Sequence, residues 1–156
     1  AGASYIQIDE PAISARPDEF EIALRALAIV TEDLKATTIT HICYGAFEAI
    51  YPRMLDLAVD IIDLEVANSN YDLLDLMRDH PFTKKLSMGV LDVHNHVVES
   101  VEQVKGGIRK GLEYLAPENL LIDPDCGLKT RRPEEAKEKL RVMMQAVREI
   151  KEEKGL

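Results

Sequence analysis

The chain has 156 residues, 46% of them hydrophobic and 30% charged, enough apolar surface for one globular domain with a real core. A formal net charge of −9 excludes a general affinity for phosphate backbones and for anionic membrane surfaces. Residues 1–10 lack the basic start and apolar stretch of a signal peptide, and two cysteines make no disulfide framework, so a cytoplasmic protein with free thiols is expected.

Five short apolar segments follow one another along the chain: Tyr5–Asp9, Thr38–Cys43, Ile61–Glu65, Leu86–Asp92 and Leu120–Asp125. Each is short and aliphatic enough to be a buried parallel strand. Helical periodicity fills the stretches between them. Phe20, Ala23, Leu24, Leu27, Val30 and Leu34 form one stripe after the first strand, and Val97, Val101, Val104, Ile108, Leu112 and Leu115 form another after the fourth. The last helix starts at Pro133, with Glu134 and Glu135 where the macrodipole favours acids, and its inner face reads Ala136, Leu140, Met143, Val147, Ile150. Strict alternation of strand and helix predicts an α/β fold with a parallel sheet, and no linker divides residues 1–156. Candidate functional groups cluster at the C-terminal ends of the strands, where barrel enzymes build their sites, although open α/β sheets share the tendency. A complete (β/α)₈ barrel takes about 250 residues. The expected fold is therefore five β/α units of a barrel within a longer polypeptide, with open strand edges that favour self-association.

The chemistry begins with His41-Ile42-Cys43. Residues i and i+2 of a strand share a face, so an imidazole and a thiol converge at one strand end. Both are preferred ligands of Zn²⁺. The alternative is a packed cysteine beside a histidine bonded to a loop. Cys126 follows the fifth strand in Asp123-Pro124-Asp125-Cys126-Gly127, a second thiol at a strand end; its alternative is an inert buried cysteine. Glu65 closes the third strand, where a carboxylate is costly without a partner; a salt bridge would serve as well as a metal. Two sulfurs, one nitrogen and one oxygen make a tetrahedral zinc set. His80, before Pro81, and His96, read as the start of a helix, are assigned structural places.

The ordered segments IQIDEPA, HICY, LEVANS, GVLDVH and PDCGLKTR resemble the C-terminal catalytic part of the cobalamin-independent methionine synthases. The match spans the whole chain, and PDCGLKTR is its most specific element. The resemblance implies a (β/α)₈ barrel, a Zn²⁺ cofactor held by His41, Cys43, Glu65 and Cys126, and transfer of a methyl group to the thiol of L-homocysteine. It implies that Asp9 holds the substrate's amino group and that His94 has a proton-transfer role. The residues themselves leave simpler places open: Asp9 capping the helix after Pro11, and His94 bonding a neighbouring loop. The chain departs from the long forms of the family. Asn95-His96 follow His94 where those forms have Ser-Pro, Val66-Ala67-Asn68 follow Glu65 without a Ser-Arg pair, and the span from Asp9 to His41 is shorter. These departures resemble the short, single-barrel archaeal form, with 5-methyltetrahydropteroyl-glutamate or a methylcorrinoid protein as the donor. Two rivals remain: a corrinoid–thiol methyltransferase of the coenzyme M type, and a non-catalytic structural zinc domain. Five units alone are expected to be inactive.

Overall fold

A computed structural model describes residues 2–43 and 47–156. Five strands, β1 (Tyr5–Asp9), β2 (Thr37–Ile42), β3 (Ile61–Leu64), β4 (Lys85–Gly89) and β5 (Leu120–Asp123), form one parallel sheet in sequence order. Consecutive parallel neighbours without a reversal of order are the pattern of a barrel wall rather than a doubly wound sheet. Within the sheet, β1 and β5 each pair on one side only.

Strand geometry sorts the side chains into two faces, because the period is two. Ile42, Ile62, Leu64, Leu86 and Met88 fall on one face and belong to the main apolar cluster, with Ile8, Leu120 and Ile122 packed against it. The other face carries Gln7, Asp9, Ile39, His41, Ile61, Asp63, Ser87 and Asp123, which register brings level across neighbouring strands: Asp9 with His41, His41 with Asp63, Asp63 with Ser87. A segment that looks continuously apolar in sequence therefore has one oily face and one polar one. In a closed barrel that polar face lines the interior.

The helices α1 (Ala12–Ala15), α2 (Phe20–Thr31), α3 (Leu73–Leu76), α4 (Val101–Tyr114) and α5 (Pro133–Lys154) lie among the strands. Ser100 and Gln103 form a reciprocal capping box at the start of α4, and Gly155 ends α5 in the left-handed region. Strict alternation of full helices does not hold. Between β2 and β3 the described residues form only short 3₁₀ turns at Phe47–Ala49 and Arg53–Asp56, and α3 is a single turn. Pro52 explains the first case: it removes a helical donor mid-segment, while Phe47, Ile50, Tyr51, Met54 and Leu57 still reach the core.

Two predicted stripes shift. In α2, Phe20, Ala23 and Leu27 are buried, but Val30 and, after the helix end, Leu34 are exposed. In α5 the buried residues are Lys139, Val142, Met143, Ala146 and Ile150, so Leu140 sits at the margin. Helix α4 starts at Val101, later than expected; Val97 is exposed and His96 lies ahead of the helix, where its Nδ1 meets Glu135 at 3.2 Å. Strands β3, β4 and β5 end one to three residues earlier than the sequence suggests, leaving Glu65, Asp92 and Asp125 in the loops that follow.

Candidate metal centre

At the C-terminal ends of β2, β3 and β5 the chain gathers one polar cluster. One ligand atom from each of His41, Cys43, Glu65 and Cys126 lies within 4.8 Å of the other three. The two sulfurs are 3.9 Å apart. Strand alternation puts His41 and Cys43 on one face of β2, and the same alternation carries Asp63 and Glu65 to that face of β3. Cys126 arrives from the loop after β5.

Two of the four groups are held from behind. His41 is buried, and its Nδ1 meets Asp63 Oδ2 at 2.8 Å, which leaves Nε2 as a buried atom with no hydrogen bond among the described residues. Fixing one ring nitrogen on a carboxylate is the usual way to aim the other at a metal. Asp63 is also the main reason the imidazole is pushed up to about 9. Glu65 is 1% exposed; its Oε2 accepts from Asn68 Nδ2 at 3.0 Å, while Oε1 has no donor among the described residues. Burial, then the Cys126 sulfur, push the Cys43 thiol up to about 12, with Glu65 and Asp9 adding to the effect. A thiol that cannot ionise among these groups becomes a thiolate only where a cation neutralises it. An imidazole nitrogen and a carboxylate oxygen, both buried and unpaired among the described residues, together with two crowded thiols are the arrangement a divalent cation resolves.

The loops that present these groups are tied down by Asp125, which is fully buried. Its Oδ1 accepts from the N–H groups of Val66 and Ala67 at 3.0 and 2.9 Å, and its Oδ2 from Asn68 at 2.8 Å. Burial nonetheless outweighs those donors and pushes Asp125 up to about 6. A Cβ at Gly89 would lie 2.1 Å from Asp125 Oδ1 and 2.7 Å from its Cα, so only glycine lets β4 pass this loop.

The other two predicted site residues border the cluster. Asp9, at the exposed end of β1 and level with His41, accepts from Gln7 Nε2 at 2.9 Å. The helix after Pro11 is not capped by it; Glu10 Oε1 accepts from Ala12 N instead. His94, part-exposed, places Nε2 3.5 Å from Glu65 Oε2, and its backbone N–H is held by Asp92 Oδ1 at 2.8 Å. His80 lies outside the cluster, where its carbonyl accepts from the Tyr51 hydroxyl.

Sequence reasoning missed the supports. Asp63 carries a signal, the same two-residue alternation that ends in Glu65, but its partner His41 is visible only once the strands are in register. Asp125 carries no local signal beyond its place in Asp123-Pro124-Asp125-Cys126-Gly127. Lys139 on α5 is wholly buried: its Nζ donates to the carbonyls of Asp92 and Val97 at 3.1 and 2.7 Å and to both Glu99 oxygens at 3.0 and 2.9 Å. It clamps both ends of the segment that carries His94, and nothing in the local pattern marks it.

Comparison with known proteins decides the family. Residues 1–149 match the family model described as the cobalamin-independent synthase catalytic domain. The chain is 40% identical over 153 residues to a protein named methionine synthase from Saccharolobus islandicus strain Y.G.57.14, covering 98% of this chain and 46% of that one. The chain belongs to the cobalamin-independent methionine synthase family. A Thermococcus kodakarensis methionine synthase is also 40% identical, over 152 residues, 97% of this chain and 45% of the relative. Among solved structures, a B12-independent methionine synthase from Shewanella sp. W3-18-1 in complex with selenomethionine superposes with a TM-score of 0.86 at 28% identity, covering 97% of this chain and 50% of that one. The fold is thus a set of five β/α units of the barrel used by this family. The chain spans about half the length of the curated relatives it matches.

Proposed function

We propose that His41, Cys43, Glu65 and Cys126 hold one Zn²⁺, and that the site methylates the thiol of L-homocysteine to give L-methionine in the cytoplasm. The observation that carries this reading is the convergence of one ligand atom from each of four residues in a chain of this family, with His41 and Glu65 each keeping a buried atom unpaired among the described residues. The donor set suits zinc: two sulfurs at a Zn–S distance of about 2.3 Å around a tetrahedral ion stand roughly 3.8 Å apart, against 3.9 Å here. When bound, the ion supplies a positive charge that lowers the pKa of a thiol and fixes its sulfur in place.

The chain's own residues do the rest. His41, braced by Asp63, keeps its ring fixed while substrate enters. Glu65 is the ligand most able to yield, since Oε2 already has Asn68 and His94 as neighbours that can hold the carboxylate once it moves. Asp9 is level with His41 and offers an exposed carboxylate to the substrate's amino group. In the transfer the thiol sulfur forms the new C–S bond, the donor–methyl bond breaks, and the thiol's proton goes to the leaving group. We assign the passing of that proton to His94, whose Nε2 lies 3.5 Å from Glu65 Oε2.

The test takes zinc-loaded protein and follows the metal's ligands by X-ray absorption as homocysteine is added. Replacement of a light-atom ligand by a third sulfur supports the reading, and an unchanged shell on thiol addition overturns it in favour of a structural zinc domain. Methionine formation is then assayed with 5-methyltetrahydropteroyl-glutamate and with a methylcorrinoid as donors, and with coenzyme M in place of homocysteine. Preference for coenzyme M would reassign the substrate. The 156-residue chain is expected to need the remaining barrel units for turnover, so full activity without them would overturn the partial-barrel account.

A further inference from the structure

The segment between β4 and α4, residues 92–99, is neither helix nor strand, and side chains hold its backbone. Asp92 Oδ1 accepts from the His94 N–H at 2.8 Å, closing a turn around the buried Val93. Asn95 Oδ1 accepts from the Val97 N–H at 2.9 Å and closes a second turn directly after it. Glu99 reaches back to the start of the segment, where its Oε1 accepts from the Asp92 N–H at 3.0 Å. Lys139 Nζ, from α5, joins these parts by donating to the Asp92 carbonyl, the Val97 carbonyl and both Glu99 oxygens. His94 thus sits in a loop whose two ends are pinned to one buried ammonium.

Stability alone does not account for that pinning. Lys139 has no exposed surface, and an ammonium taken out of water is kept only with partners around it. Its neighbours on the inner face of α5, Val142, Met143, Ala146 and Ile150, are apolar. An apolar pair in place of Lys139 and Glu99 would often leave a fold as stable or more so. What the ion pair adds is direction. An ammonium has three hydrogens, and here they serve two carbonyls and one carboxylate, so the loop is held in the one arrangement that satisfies all three. The loop after Glu65 is mounted separately, on Asp125. One loop can therefore loosen while the other stays fixed.

We infer that Lys139, acting through Glu99 and Asp92, is a positioning residue that sets where the His94 ring stands against Glu65. Nε2 of that ring lies 3.5 Å from Glu65 Oε2. Lys139 itself reaches the loop and not the ring, so α5 serves as the mount of the proton-transfer group. Its effect on the reaction runs through His94.

The inference rests on the proton-transfer role proposed for His94, and a double-mutant cycle separates the two. Turnover, KM for homocysteine and zinc content are measured in zinc-loaded enzyme that includes the remaining barrel units, as wild type, Lys139→Met, His94→Ala and the double variant. Lys139→Met is expected to keep its zinc and its KM and to lose about 10–100-fold in kcat, the scale of a small misplacement of a reacting group. In the His94→Ala background the same substitution is expected to cost less than about twofold more, within the scatter seen for independent sites. Equal losses in both backgrounds mark a merely structural role and overturn the inference, as does loss of zinc in Lys139→Met. Hydrogen exchange on the zinc-loaded protein gives a readout apart from activity. The His94 amide is expected to exchange faster in Lys139→Met, while the amides of Val66, Ala67 and Asn68 keep their wild-type rates; loosening of both loops together overturns the inference. Should Lys139→Met fail to fold, Asp92→Ala carries the test, since it removes the acceptor of the His94 N–H and leaves the buried ion pair in place. Asp92→Asn keeps that oxygen and is expected to restore most of the turnover that Asp92→Ala loses, and equal losses in the two overturn the inference. Wild-type kcat in His94→Ala overturns the proton-transfer reading and this inference together. A loss in His94→Ala with wild-type kcat in Lys139→Met overturns this inference alone.

Discussion

The two ends of one sheet are built on opposite rules. At the N-terminal ends of the strands the polar groups satisfy each other: Asp60 Oδ2 accepts from both the backbone N–H and the hydroxyl of Thr38, at 2.7 and 3.0 Å, and Lys84 donates to the Val59 carbonyl at 2.8 Å. At the C-terminal ends, His41 Nε2 and Glu65 Oε1 are buried with no hydrogen-bond partner among the described residues, and two thiols face each other. A cavity of about 920 Å³ opens at the satisfied end, lined by Tyr5, Asp60, Lys84 and Lys85. Size therefore does not locate the chemistry. What marks the working end is buried polar capacity left unspent, which costs free energy unless a ligand uses it.

The difference can be probed from both sides. The largest effect is expected at the working end: His94→Ala in the active enzyme should keep its zinc and lose about 10²–10⁴-fold in turnover, the scale of a proton-transfer residue. Stopped-time methionine assays with parallel metal analysis check this, and loss of the metal would instead make His94 a ligand. Lys139→Met should cost about 3–5 kcal/mol, because Glu99 and two carbonyls lose a buried cation. Denaturant melts measure the loss, and hydrogen exchange should show it concentrated in residues 92–99.

Gly89→Ala should destabilise by about 1–3 kcal/mol through overpacking, since its Cβ meets the backbone of Asp125. A thermal melt reads this directly, and a neutral result would mean that the loop can retreat. The smallest effect belongs to the satisfied end. Asp60→Ala should cost about 1 kcal/mol at neutral pH, the scale of a hydrogen bond. The donors from Thr38 hold the Asp60 carboxyl below its ordinary value. A depressed folded-state value means the contribution is present above the unfolded carboxylate range and is lost as pH falls through the folded one. The gap between wild type and variant should therefore begin to narrow as pH falls below the ordinary carboxylate value of about 4 and close only below the depressed folded-state value, and a gap that stays unchanged through that range would contradict the assignment.

How far the sequence could be read follows from the range of the interactions involved. The strand positions and the His41–Cys43 pair were legible because alternation is a local rule, and Glu65 because an acid ending an apolar strand demands a partner. Cys126 was reachable through its motif and its place after the last strand. Asp63 obeys the same alternation as Glu65, yet it reads as an interruption of an apolar strand until register shows it beside His41. Asp123 and Ser87 meet only across strands, which no local pattern encodes. Lys139 looks like a surface residue on a helix, and its burial depends on a loop some forty residues away. The lack of a full helix among the described residues between β2 and β3 has a local cause in Pro52, which the alternation of units obscured.

The central claim is that His41, Cys43, Glu65 and Cys126 form a single metal site, and metal analysis of purified protein tests it most directly. The account predicts one zinc per wild-type chain, with Cys43→Ser and Cys126→Ser each losing most of it, since each removes one of two sulfurs that lie 3.9 Å apart. Full zinc retention in both variants, or none in the wild type, would contradict it.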